Sequence, residues 1–481
     1  MHTKPNILVF MTDQQRGDSV YDSRILMPNT RSLMKNGVTF TESYCPAPHC
    51  CPSRATFFTG QYPTQHGVWN NVCVQNTLSR RLNPETELFS HHLKQQGYQS
   101  FFAGKWHVCY DTGPEDHGFE ELYVTCNKEA KNDPTNQSMS PNWDMYKQIS
   151  AAAHERQEGE IIRPGYPNYV HYGVTENPFN DQDVVDSALD KLTTLRQTEA
   201  PWMMYIGTLG PHDPYFVPQK FLDLYQDVDV ELEDIHYDSM DKKPVYNKKV
   251  KTLFDQLSIE EKKQAIKHYW AFCTYEDHLI GLIIDELKQH DDFDDTLILL
   301  VSDHGDYNGE HGLWCKGLPA YKGAYHIPTI AHWPNGIQQP GRSVSELISL
   351  ADIAPTFLDI LGCEMSQPIV GKSLLPYFKD ESNPPSRAFL HTQTNGNEIY
   401  GIQRTVFNKE WKLVFNTFDN DELYDLTNDP DELINLIDEP SSLPIIKMLY
   451  QELWRFAEET EDAIINPYIL VGLAKFGPAI L

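Results

Sequence analysis

Four short apolar runs, Ile7–Met11, Ser100–Ala103, Met203–Leu209 and Leu297–Val301, each lead into a residue able to do chemistry: Asp13, Lys105, His212 and Asp303. Unbroken apolarity, rather than alternation, predicts strands covered on both faces, as in a parallel sheet. Between them, Asn29–Lys35, Pro84–Gln95, Val184–Leu195 and Ile259–His290 place apolar residues at helical spacing. In the last of these, Ile266, Trp270, Cys273, Ile280, Ile284 and Leu287 form the stripe. Strands alternating with helices predict an α/β fold. In open α/β sheets ligands bind beyond the carboxyl ends of the strands, so the four polar run-ends mark the expected site.

Tyr110–Asn180 and Pro214–Asn247 are rich in turn-forming residues and weak in periodicity, and read as long surface insertions that carry selectivity. The composition changes again after Asp380, through Glu381-Ser382-Asn383-Pro384-Pro385. Beyond it, Arg404–Phe407 and Trp411–Phe415 predict hairpin strands and Ile445–Glu458 a helix. The expected division is a large domain over 1–380 and a small α+β unit over 381–481.

With 40% hydrophobic and 22% charged residues, the chain is too apolar for long disorder. A net charge of -29 repels polyanions, so no nucleic-acid partner is expected and an anionic substrate must be held by local cations. Nine cysteines, scattered apart from Cys45, Cys50 and Cys51, argue against a disulfide scaffold. No apolar run approaches the roughly 18 residues that a membrane helix needs, so no membrane association is expected. Met1–Asn6 offer no basic segment and no cleavage site before the first strand. The expected location is the cytoplasm, or the periplasm or exterior if a signal peptide has been trimmed.

The most informative stretch is Cys50-Cys51-Pro52-Ser53-Arg54-Ala55, followed by Thr59-Gly60. Pro52 suits the start of a helix, which puts Cys50 at a helix N-terminus, where free N–H groups favour an anion. Arg54 adds a planar cation matched to oxyanions. The competing reading is a buried thiol pair, or a zinc site with His49 and Cys45, although no second closely spaced Cys/His pair follows.

This stretch resembles the signature of type I sulfatases, in the alkaline phosphatase superfamily, whose first Cys is converted by a maturation enzyme to formylglycine (3-oxoalanine). In this register the modified residue is Cys50. Asp13-Gln14 and Asp303-His304 match the family's metal-binding pairs, and the resemblance implies one divalent ion completed by residue 50. Ca2+ is expected, with Mg2+ or Mn2+ as alternatives. Many sulfatases carry Asp-Asp in the first pair and Asn at the end of the second; Gln14 and His304 resemble the variant of phosphonate monoester hydrolases and some sulfatases. Gly104-Lys105-Trp106-His107, Gly210-Pro211-His212 and Cys315-Lys316-Gly317 are similar to the remaining site elements, with Lys322 and His326 as alternatives to Lys316. Leu423-Tyr424-Asp425 to Glu432 resembles the family's ending.

The fold implied is an alkaline-phosphatase-like domain with a mixed, mainly parallel central sheet flanked by helices, plus a C-terminal unit with a short antiparallel sheet. In the implied mechanism a hydroxyl of the formylglycine hydrate attacks sulfur, and His212, with Lys316, protonates the leaving alcohol. Lys105, Arg54 and the metal stabilise the sulfuryl oxygens, Asp303 orients the attacking hydroxyl, and His107 takes the proton that releases sulfate. The substrate expected is a sulfated small molecule or oligosaccharide, because Trp69, Tyr123, Trp143, Tyr146 and Tyr166 offer faces for sugar rings. A phosphonate or phosphate ester hydrolase is the alternative, and a catalytically silent binding protein is a third reading.

Overall fold

The computed structural model describes residues 4–73, 77–125, 155–162, 169–196, 198–397, 399–466 and 471–480. Its frame is an eight-stranded sheet. In chain order the strands are β1 (Asn6–Thr12), β2 (Val38–Tyr44), β3 (Gln99–Lys105), β4 (Glu120–Thr125), β5 (Trp202–Gly207), β6 (Thr296–Ser302), β7 (Thr329–His332) and β8 (Arg342–Ser349). They lie in the order β8-β2-β7-β6-β1-β5-β3-β4. All neighbours run parallel except β7, which is antiparallel to both β6 and β2.

The central strands are apolar throughout because both faces are covered. Along β1, Ile7, Val9 and Met11 enter one core and Leu8 and Phe10 the other. The first core is closed by α2 (Cys50–Thr59), α3 (Phe89–Gln95) and α6 (Ile353–Leu361), and the second by α1 (Pro28–Lys35), α4 (Asp181–Leu195) and α5 (Ile259–Leu287). Helix α5 starts at a capping box: Ser258 Oγ accepts the Glu261 N–H, and the Glu261 carboxylate accepts the Ser258 N–H. The helix expected from Pro84 begins only at Phe89, since Glu85 has φ +70° and Leu88 is extended.

The C-terminal sheet, β9 (Leu390–Thr394), β10 (Gln403–Phe407), β11 (Trp411–Asn416) and β12 (Glu422–Asp425), is antiparallel throughout. Val406, Leu413 and Phe415 pack under α7 (Leu443–Glu459), while Leu390, Phe407 and Val414 face the main core. No helix among the described residues is long and apolar enough to cross a membrane.

Candidate active site

Register brings the run-ends together. Thr12 pairs with Ser302, and Gly207 with both Met11 and Gly104, so Asp13, Asp303, Lys105 and the Thr208–His212 turn leave the sheet side by side. Gly104 has φ +102°, and a Cβ there would lie 1.9 Å from the Gly207 carbonyl oxygen, so only glycine lets β3 deliver Lys105 this close. Across the gap, α2 begins at Cys50, with His49 extended as its N-cap.

Ligand atoms of Asp13, Cys50, Asp303 and His304, all buried, lie within 4.8 Å of one another. Cys50 Sγ is 3.3 Å from His304 Nε2 and 3.8 Å from Asp13 Oδ1. His304 Nδ1 lies 2.9 Å from the Gly305 carbonyl; donation there fixes the tautomer and leaves Nε2 bare toward the group. Burial and the charge of Asp13 push Asp303 above the usual carboxylate range. Burial opposes ionisation of Asp13 too, and the Cys50 charge adds to that, yet Lys105, His212 and Arg54 hold it well below its usual value. Two buried carboxylate oxygens and one bare imidazole nitrogen suit a divalent cation. Neither Cys45 nor His49 belongs to the group.

Arg54, fully buried, underpins these carboxylates. Its Nε donates to Asp303 Oδ2 (2.8 Å), Nη2 to Asp13 Oδ2 (3.0 Å), and Nη1 to the Lys105 carbonyl and Tyr205 hydroxyl (2.9 Å each). The guanidinium is therefore engaged by metal-side carboxylates rather than open to a bound anion. Lys105 Nζ lies 2.5 Å from Asp13 Oδ2. Lys316 Nζ lies 2.6 Å from both His212 Nε2 and Gln14 Oε1. The Gln14 amide nitrogen donates to Asp306 Oδ2 (2.5 Å) and Asp213 Oδ1 (3.0 Å). Gln14 thus sits on the rim of the group with its amide oxygen taken by Lys316. Lys322 and His326 point elsewhere: Lys322 Nζ lies 3.9 Å from Glu42, and His326 Nε2 is 2.8 Å from the Thr41 carbonyl.

Burial alone would raise the Cys50 thiol; Lys105, Lys316, His304 and His107 outweigh it and hold its pKa well below the ordinary value. Burial and Lys316 work against the His212 imidazolium, but Asp213 and Asp13 prevail and raise its pKa. His212 is thus suited to hold a proton near neutrality. Burial, then Lys105, keeps His107 low, which suits a base beside Cys50. All ten residues expected from the sequence converge. Asp213, Tyr169 and Asp306 were not expected: the Tyr169 hydroxyl donates to Asp213 Oδ2 (2.7 Å), and Asp213 faces His212 Nδ1 at 3.4 Å. Asp213 directly follows His212 and Asp306 lies just beyond Asp303-His304, but nothing in the sequence marks Tyr169. Trp143, Tyr146 and Tyr166 lie outside the described residues, and Trp69 and Tyr123 are half-buried.

A second group, Glu310, His311 and Glu432, also brings ligand atoms together. Glu310 is paired with Arg16 (3.0 Å) and Glu432 with Lys412 (2.5 Å), so cations already balance it.

Comparison with known proteins identifies the family and the fold. The sulfatase family profile matches residues 5–363, and the profile of the N-sulphoglucosamine sulphohydrolase C-terminal region matches 309–459. The choline-sulfatase of Rhizobium meliloti (strain 1021) is 29% identical over 450 residues, covering 89% of this chain and 81% of the relative. Human N-acetylglucosamine-6-sulfatase is 26% identical over 473 residues, covering 89% and 80%. In fold, a protein solved with its substrate D-glucosamine-2-N,6-O-disulfate superposes with a TM-score of 0.75 at 19% identity, covering 96% of this chain and 99% of that one. The phosphonate monoester hydrolase of Agrobacterium radiobacter superposes with a TM-score of 0.74 at 21% identity, covering 95% and 96%.

Proposed function

Since the chain belongs to the sulfatase family, whose members are sulfuric ester hydrolases, we propose that it hydrolyses a carbohydrate sulfate ester using one divalent ion and formylglycine made from Cys50. The observation that carries this reading is the meeting of Cys50, at the start of α2, with Asp13, Asp303 and His304 within 4.8 Å. Lys105, Lys316 and His212 crowd the same group, supplying the local cations that a chain of net charge -29 needs to hold an anion.

Asp13, Asp303 and His304, with residue 50, would hold the ion, Ca2+ as first choice, and it supplies Lewis acidity toward oxygen. Gln14 joins them only by exchanging Lys316 for the ion. An aldehyde hydrate at position 50 would supply one hydroxyl for attack on sulfur, with Asp303 taking its proton, and a second whose deprotonation would let sulfate leave. Lys105 and Lys316 bind the sulfuryl oxygens. His212 delivers its proton to the leaving alcohol, with Asp213 sustaining the charged imidazole. His107 accepts the proton of the second hydroxyl. Arg54 holds Asp13 and Asp303 in place. Residues 1–380 form the proposed catalytic unit and 381–481 a subdomain closing it.

The carbohydrate assignment draws on relatives that act on glucosamine sulfates. A second reading, hydrolysis of a phosphonate or phosphate ester, is favoured by Gln14 and the nitrogen donor of His304. The test begins with peptide mass spectrometry of protein made in a host able to mature sulfatases. Conversion of the Cys50 thiol to an aldehyde lowers the peptide mass by about 18 Da. Unmodified Cys50, beside a matured control sulfatase, would sink the proposal. Matured enzyme would then be assayed on glucosamine sulfates, choline sulfate, an aryl sulfate and a phosphonate monoester. The highest kcat/KM on the phosphonate would transfer the assignment to the second reading.

A further inference from the structure

The turn that carries His212 is held by a buried acid that the mechanism above does not use. Asp181, the first residue of α4, is fully buried, and its two carboxylate oxygens accept the Leu209 and Gly210 N–H groups at 2.8 Å each. On its other side the turn is tied to β1: the Thr208 N–H donates to the Met11 carbonyl (3.0 Å), and the Asp13 N–H to the Gly210 carbonyl (3.1 Å). Asp181 therefore grips, from behind, the peptide that links a metal-group carboxylate to the proton donor. A second acid, Glu276 of α5, closes this position. It is 1% exposed, and the side chains of Asp181 and Thr208 are its polar neighbours. A Cβ at residue 210 would lie 2.0 Å from Glu276 Oε1, so Gly210 is required for the turn to rest against this carboxyl. Phe179 and Phe272 stack beside it, and the edge of Phe179 meets the His212 ring at 6.2 Å.

Two buried acids with no cation bonded to either among the described residues are costly to keep. Burial and the Asp181 charge push Glu276 well above the usual carboxylate range, so it stays neutral and able to donate. Burial also raises Asp181, to about 7. Asp181 offsets that cost by accepting two turn N–H groups that an apolar residue would leave buried and unpaired.

We propose that Asp181 is a positioning residue for leaving-group protonation: its carboxylate fixes the Leu209–Gly210 peptide and thereby aims His212, with the Glu276 side chain packed against Gly210 behind it. The inference rests on the reading of His212 as the acid. Its test compares 4-nitrophenyl sulfate, whose phenolate departs without a proton, with an alkyl or sugar sulfate, whose alkoxide needs one. Positioned acid catalysis contributes about 10²–10⁴-fold, so Asp181→Asn should lose about 10- to 100-fold in kcat on the alkyl ester and less than about threefold on the aryl ester. Glu276→Gln keeps a donor and should stay within about threefold on both, whereas Glu276→Leu should reproduce the selective loss.

His212→Asn is measured alongside. Equal losses on both esters in His212→Asn would overturn the assignment of the acid itself. A selective loss in His212→Asn, with equal or no losses in Asp181→Asn and Glu276→Leu, would overturn the positioning role alone. Hydrogen exchange provides an arm that needs no substrate. The amides of the Thr208–His212 peptide should exchange faster in Asp181→Asn and in Glu276→Leu, with other core peptides unchanged. Unchanged exchange in both variants would refute the grip.

Discussion

Replacing Arg54 by Met removes one charge and four hydrogen bonds while nearly preserving side-chain volume, so the cost is electrostatic rather than a cavity. Arg54 is the shared partner of Asp13 and Asp303, both fully buried. Stripping one member from a buried ion pair costs about 3–5 kcal/mol, because the remaining charge stays desolvated. Here two carboxylates with oxygens less than 4.8 Å apart lose their common cation. At an effective dielectric near 20, unit charges about 4 Å apart repel by roughly 4 kcal/mol. A divalent ion at the same carboxylates would relieve most of that repulsion. Arg54→Met should therefore lose about 3–5 kcal/mol of unfolding free energy in EDTA, and at least about 2 kcal/mol less than that in saturating Ca2+. Urea unfolding followed by tryptophan fluorescence, with and without the ion, measures both. A loss under about 0.5 kcal/mol in EDTA would refute the claim that Arg54 holds the carboxylates. Equal losses in the two conditions would refute the claim that an ion shares the task.

Glu261 gives a pH-dependent prediction. Burial opposes its ionisation, but the Arg156 fork (2.7 Å twice) and the Ser258 and Gly159 N–H groups hold its pKa at about 2. A folded pKa below the ordinary value of 4.5 stabilises above that value, and the gain is lost as pH falls from 4.5 toward 2. Glu261→Gln should be less stable than wild type at pH 7, with the gap closing by pH 2; a gap constant across that window would contradict the assignment. In the C-terminal unit, Asp462→Ala strands the buried Arg404, whose Nε and Nη2 donate to Asp462 at 2.6 and 3.0 Å. It should cost about 3–5 kcal/mol in chemical denaturation, and a loss under about 1 kcal/mol would show that water reaches Arg404. Lys316→Ala removes the ammonium between His212 and Gln14 and should lower kcat about 10²–10³-fold; a drop under tenfold in steady-state kinetics would remove Lys316 from the reacting centre.

How much of this was legible in the sequence follows from where each residue sits. β1, β3, β5 and β6 announced themselves because strands covered on both faces must be apolar at every position, and their polar ends became the site. β2 did not, because Thr39, Thr41, Glu42 and Ser43 interrupt it, and β7 spans only four residues. The antiparallel β7 and the strand order were therefore unreadable. The ten expected site residues converge because each follows a core strand, opens α2 or belongs to a short motif. Roles were harder to read than positions. Arg54 carries its charge in the sequence, but only the fold reveals that Asp13 and Asp303 occupy its fork.

Asp181 and Glu276 mark the limit most sharply. In sequence, Asp181 is an ordinary acid at a helix start, and Glu276 is one polar residue in a long helix. Their meaning exists only where α4 and α5 cross behind the Thr208–His212 turn. A residue that touches substrate tends to stand in a motif, because its neighbours in the chain shape the same site. A residue that aims another needs only one well-placed oxygen, reached through tertiary contact, and leaves no local pattern. The most informative mutations beyond the reacting group should therefore lie on the two helices behind it.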